Sequence, residues 1–206
     1  MRIEKLKLNP EIYTGNSYYI RGDYNGIDNV NTLIDTGTDA SVWQALEMMN
    51  QGLGKKKVDL VILTHEHFDH SGGLKFIRKA TTDVKVLAFS GNPNINPDII
   101  AYDGLEVKVG DTVATILHIP AHSNDSICVL FEKERVLFSG DLTLDIHIPD
   151  NNYCNEFIIA LNNFLSLKLE AIYPGHGEPI LTNEKIQPML INTYWNVTGK
   201  TFAEYN

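Results

Sequence analysis

The run Thr64-His65-Glu66-His67-Phe68-Asp69-His70 places three imidazoles and an aspartate within six residues, directly after the apolar segment at 58–63. That segment, Val-Asp-Leu-Val-Ile-Leu, is short, rich in β-branched residues and closed off by Ser71-Gly72-Gly73, so it reads as a buried strand. The chain must therefore fold so that a core strand ends in a knot of metal-competent side chains. Neutral imidazole is the commonest metal ligand, and carboxylates complete such sites. A solvated surface loop could collect the same residue types. The coincidence of four donors as His-x-His-x-Asp-His, three of them from a chain with seven histidines, makes a metal centre the better reading.

The rest of the composition narrows the partners. With 17 Lys and Arg against 26 Asp and Glu, the formal charge of -9 disfavours a polynucleotide. The densest basic run, Lys55-Lys56-Lys57, is short enough to be a solvated turn. A small-molecule substrate is the expected partner. No apolar stretch reaches the length of a membrane span, and residues 1–8 alternate like a strand rather than a signal peptide. Two cysteines, Cys128 and Cys154, lack any metal or redox spacing and do not make a disulfide framework. A soluble protein in the reducing cytoplasm is expected. Its 206 residues suit one domain, 1–206, and nothing resembling a linker or repeat divides them.

Hydrophobic periodicity predicts strands around Ile3–Leu8, Tyr18–Ile20 and Val30–Asp35, with a tight turn at Asn25-Gly26. A helix is expected over about 39–49, with Val42, Leu46 and Met49 on one face and Thr38 or Asp39 as N-cap. Further strands are expected at 84–89, 105–109, 112–119, 126–131, 135–138 and 171–173, and helices at 74–78, 154–167 and 183–191. The stretch 91–97, rich in Asn and Pro, reads as a loop. This mixed order predicts an α/β fold, two mixed sheets face to face with helices on the outer faces.

Three other predicted strands also end in ligand-competent residues: Pro120-Ala121-His122-Ser123, Ser139-Gly140-Asp141 and Pro174-Gly175-His176-Gly177. Singly, each is an ordinary turn. Together with the first motif they supply seven ligands from four strand ends, enough for two metals with solvent between them.

With these four elements, and with Leu33-Ile34-Asp35-Thr36-Gly37 upstream, the chain resembles the metallo-β-lactamase-fold superfamily of metal-dependent hydrolases. The resemblance implies a four-layer αββα sandwich. It also implies two metals, zinc in the first place and iron or manganese as alternatives. His65, His67 and His122 would hold one, Asp69, His70 and His176 the other, and Asp141 would bridge them. A bridging water, acidified towards neutral pH, would be the nucleophile. Asp69 would orient it or pass a proton to the leaving group, while Asp35 would support the ligand loops by hydrogen bonds.

The bridging residue is Asp141 rather than the cysteine of one large β-lactamase branch. Leu144 stands where related lactonases carry a tyrosine. The core looks similar to hydroxyacylglutathione hydrolases, glyoxalase II, but only thirty residues follow His176, so their helical C-terminal domain is expected to be absent or reduced. The expected activity is hydrolysis of a small thioester or ester. Two alternatives stand beside it: a mononuclear iron persulfide dioxygenase of the same fold, and a non-catalytic domain stabilised by metal or sensing it. His118 reads as a strand residue or a support for a ligand, and His147 as a surface residue or a pocket residue. Tyr153 and the Tyr194-Trp195 pair read as packing aromatics before substrate contacts.

Overall fold

Alternation of apolar residues at period two lets one strand feed two different cores, and this fold uses that property in both of its sheets. The structure, a computed structural model, describes residues 1–24, 26–81, 83–89, 94–149 and 152–202. Asn25 of the expected turn and residues 91–93 of the expected loop lie outside the described residues.

The first sheet contains β1 (Arg2–Lys5), β2 (Tyr18–Arg21), β3 (Thr32–Ile34), β4 (Leu60–Ile62), β5 (Lys85–Ala88) and β6 (Ile99–Ile100), in that order. Its first three strands are antiparallel and the pairings from β3 to β6 are parallel. The second sheet contains β7 (Glu106–Val109), β8 (Thr112–His118), β9 (Ile127–Phe131), β10 (Val136–Gly140) and β11 (Ala171–Pro174). Its order is β11-β10-β9-β8-β7, and only β10 and β11 run parallel. The helices are α1 (Ser41–Met48), α2 (Phe68–Ser71), α3 (Leu74–Ala80), α4 (Asn155–Leu167) and α5 (Asn183–Thr198).

Leu60 and Ile62 of β4 meet Ile127, Val129 and Phe131 of β9 and Phe138 of β10 in the core between the sheets. Their neighbours Val61 and Leu63 turn the other way, onto Val42 and Leu46 of α1 and Leu74 and Ile77 of α3. On the far side, Cys128, Leu130 and Leu137 face Phe157, Leu161, Phe164 and Leu165 of α4 and Leu190 and Tyr194 of α5. The layers are helix, sheet, sheet, helix, as the sequence predicts. Full burial of each large apolar side chain contributes about 1.5–3 kcal/mol, so the three cores define the fold and fix where the strand ends emerge.

Several elements differ in detail from expectation. Helix α1 starts two residues later, with Ala40 at the N-cap and no side-chain cap. Asp39 Oδ1 instead accepts from the Ser41 amide at 3.1 Å and its hydroxyl at 2.5 Å, closing a local turn before the helix. The His motif is not all loop: Asp69 and His70 lie on the single turn of α2. The two-residue β6 was not expected. Helix α5 runs through Pro188 to Thr198, well past residue 191. Pro188 removes one helical donor, and burial of Ile186, Leu190, Tyr194 and Val197 against the second sheet and α4 outweighs that loss. Both cysteines are free, and among the described residues no helix is long and apolar enough to cross a membrane.

Candidate metal centre

Asp35 follows β3 with φ at 57°, a left-handed conformation that costs a non-glycine residue free energy. The conformation is held by what the carboxylate does. It accepts from the Thr64 amide at 2.8 Å, the Thr64 hydroxyl at 2.8 Å and His70 Nδ1 at 2.8 Å, all buried. Thr36 adds hydrogen bonds from its amide and hydroxyl to the His70 carbonyl, at 2.7 and 2.8 Å. The end of β3 thus grips the motif that follows β4, as expected for Asp35.

These bonds also set where the imidazole lone pairs point. An ionised carboxylate only accepts, so the Thr64 hydroxyl must donate to Asp35 and is left to accept from His65 Nδ1, 3.1 Å away. His65 Nε2 is then a bare lone pair. It is buried and, among the described residues, has no hydrogen-bond partner. Burial lowers the His65 pKa to about 4, keeping the ring neutral despite nearby Asp35. His70 also commits Nδ1 to Asp35 and turns Nε2 inward.

Seven donors converge at this point. His65, His67 and His122 form one group, and Asp69, His70, Asp141 and His176 a second, with the donor atoms of each within 4.8 Å of one another. In the first, His67 Nδ1 lies 3.1 Å from His122 Nε2. In the second, His176 Nε2 is 3.1 Å from Asp69 Oδ2 and 3.4 Å from His70 Nε2. Asp141 reaches both groups. Its Oδ1 is 3.1 Å from His70 Nε2, and its Oδ2 is 3.5, 3.7 and 3.8 Å from Nε2 of His176, His122 and His65. A tetrahedral cation with bonds of about 2.0–2.1 Å sets neighbouring donors about 3.3–3.4 Å apart, so these spacings are compatible with a shared cation. The electrostatics agree. Burial opposes charge on His70, yet Asp35 and Asp141 outweigh it and raise its pKa to about 10. Burial likewise works against ionised Asp141, but His70, His176 and His65 hold it near 2. The cluster calls for positive charge.

Two glycines make room. A Cβ on Gly175 would overlap Asp141 Oδ1 and come 2.7 Å from the His70 ring. One on Gly15 would sit 2.6 Å from the same ring. The segment around Gly15 completes the wall of the site without any motif to announce it. Its amide donates to the Asp69 carbonyl at 2.9 Å, Asn16 Nδ2 bridges the Pro174 and Gly177 carbonyls at 2.9 Å each, and Tyr13 stacks on His176 with centroids 5.4 Å apart. The only local signal was a Gly-Asn pair, indistinguishable from a surface turn. Asp125 was also missed. A cleft of about 730 Å³ opens here, lined by Glu66, His67, Phe89, His122, Ser123, Asn124 and Asp125.

The two remaining histidines stay out of the cluster. His118 stacks on Phe89 at 3.7 Å and points Nε2 at the Asn124 carbonyl, 2.9 Å away, bracing the turn that carries His122. His147 is exposed and pairs with Asp145. Tyr153 packs on Phe157 and Tyr194 is fully buried, whereas Trp195 is half exposed.

An αββα sandwich with His and Asp donors gathered at one edge of both sheets defines a class of metal-site proteins. Within that class, the sequence profile of the Metallo-beta-lactamase superfamily matches residues 11–88 and 86–176, and the chain belongs to that superfamily. Hydroxyacylglutathione hydrolase from Francisella tularensis subsp. tularensis is 39% identical over 87 residues, which are 42% of this chain. The match spans only 34% of that relative's length. The crystal structure of BLEG-1 B3 metallo-beta-lactamase superposes with a TM-score of 0.66 at 22% identity, covering 94% of this chain and 99% of the other. ETHE1 from Myxococcus xanthus gives 0.66 at 24%, covering 100% and 88%. These two likenesses are likenesses of fold.

Proposed function

We propose that this protein is a metal-dependent hydrolase of small thioesters or esters, with zinc at both halves of the cluster. His65, His67 and His122 hold one ion, Asp69, His70 and His176 the other, and Asp141 is shared. The observation that carries this reading is the buried His65 Nε2, which has no hydrogen-bond partner among the described residues and is aimed into a ring of further donors. Leaving such an atom unmatched is costly, and a cation answers it. The matched stretch of the Francisella hydrolase supports a thioester substrate.

Bound there, two divalent ions would acidify water towards neutral pH and polarise a substrate carbonyl. The protein's own contribution is placement. Asp35 fixes the tautomers of His65, through Thr64, and of His70. Asp69, partly buried beside His176, would orient the attacking water and carry a proton towards the leaving group. The cleft beside His67 and His122 has the size of a small-molecule site, about 300–1,000 Å³.

Protein purified without added metal should carry two zinc ions per chain and hydrolyse members of a thioester panel that includes S-acyl glutathiones. His65→Ala should abolish turnover and keep the fold. Full activity in that variant would overturn the ligand assignment. One iron per chain, with oxygen uptake on glutathione persulfide, would replace hydrolysis by the dioxygenase reading. Bound zinc with no turnover of any substrate would favour a structural role.

A further inference from the structure

The first half-site presents a difficulty that Asp35 does not solve. His67 and His122 are exposed, lie on loops from different sheets, and must hold Nδ1 of one ring 3.1 Å from Nε2 of the other. Loop side chains in solvent lose about 0.5–1.5 kcal/mol of entropy each when immobilised, so something has to hold the loops together beforehand. The contacts that do so converge on one residue. Asp125 Oδ2 accepts from the amide of Glu66, the residue between His65 and His67, at 2.8 Å. Its Oδ1 accepts from the hydroxyl of Ser123, the residue after His122, at 2.7 Å. One carboxylate thus ties the loop after β4 to the loop after β8.

Its neighbours make the tie rigid. Ile127 N donates to the Thr64 carbonyl at 2.8 Å, so the chain from 125 to 127 runs alongside 64–66 like a short extra pairing between the sheets. Ser126 Oγ lies 2.7 Å from Ser123 Oγ, and Ser126 N donates to the Ser123 carbonyl at 3.1 Å. His118 Nε2 faces the Asn124 carbonyl at 2.9 Å. On the other loop, Ser71 Oγ donates to the Glu66 carbonyl at 2.9 Å, so the backbone of Glu66 is held at both its amide and its carbonyl.

We infer that Asp125 is a positioning residue for the His65/His67/His122 half-site, holding its two ligand loops in register from outside the ligand set. The inference rests on the reading of this cluster as a metal centre. Loss of an outer hydrogen-bonding partner of a metal ligand typically weakens metal binding by about 10–100-fold. Here the loss should fall on one half-site only, which a general loss of structure would not produce.

The test uses the full chain stripped with chelator and titrated with Zn2+ alone against a chromophoric competitor. Imidazole 15N resonances report which histidines respond. In the parent protein the resonances of all five cluster histidines should shift by two equivalents of zinc. In Asp125→Ala, His70 and His176 should shift as before, while His65, His67 and His122 should need about 10–100-fold more free zinc. Asp125→Asn, which keeps the shape and one acceptor, should fall between, and answers the question if the alanine variant does not fold. Unchanged binding in these variants, or equal weakening of both half-sites, overturns the inference and leaves the hydrolase reading standing. A parent protein that takes up no zinc overturns both.

Discussion

The two halves of the cluster are built from the same residue types and held in opposite ways. In the second half, His70 is set in the packed interior while Asp69 and His176 are partly exposed above it. His70 is fully buried, clasped by Asp35 and Thr36 and walled by Gly15 and Gly175. His67 and His122 stand in solvent on two loops tied through Asp125. His70 and, through Thr64, His65 are held by Asp35 in the folding core, so their geometry is maintained by the stability of the whole domain. His67 and His122 are maintained by a few local hydrogen bonds, and they line the cleft through which a substrate would arrive. Placing precision in the interior and access at the rim divides the site into an anchor and a door.

The largest test of that contrast is Asp35→Ala. It strands three buried donors, the Thr64 amide and hydroxyl and His70 Nδ1. Breaking such a buried network should cost about 3–5 kcal/mol of unfolding free energy, read by denaturant titration with chelator present. A loss below 1 kcal/mol would mean the anchor is not anchored there.

Next comes Gly175→Ala, whose methyl group would collide with Asp141 and His70. Overpacking of this kind costs about 1–3 kcal/mol, and it should appear as weaker zinc binding at the His70/His176 half in a competition titration. Gly177→Ala is its matched control. With φ at 81° and nothing within 4 Å of the added carbon, it should lower stability by about 1 kcal/mol and leave zinc affinity alone. Equal zinc loss in both variants would show that the collision at Gly175 is not what matters.

The smallest effect belongs to the door. His67→Ala removes an exposed ring, so the unfolding free energy of chelated protein should stay within about 0.5 kcal/mol of the parent. A large destabilisation without metal would erase the distinction between the two halves.

Much of the cluster was legible beforehand because each ligand follows a strand whose residues declare themselves by period-two alternation. The ends of β4, β8, β10 and β11 could be found from apolar runs, and the ligands beside them from residue type. What stayed hidden acts across long separations with unremarkable residues. Asn16 bonds to Pro174, 158 positions away. Asn192, Thr193 and Asn196 lie beyond the end expected for the last helix, at residue 191. In the structure they hydrogen-bond the backbone of Leu144 and Ile146, just after Asp141, taking the part a neighbouring strand would have played. Those contacts, together with the buried stripe of α5, extend the helix beyond residue 191, where local propensity alone offered no reason to continue.

Sequence by itself determined which side chains could bind metal, which strands were buried, and that two sheets would have to be stacked to bury them. These follow from composition and short-range periodicity, which are local properties. Only the tertiary structure decided that Asp35 sets the tautomers of two histidines, that Asp141 stands between the two groups, and that Asp125 joins two ligand loops. Each depends on spacings of 2.8–3.8 Å between groups far apart in the chain. Such distances exist only once the sheets have packed.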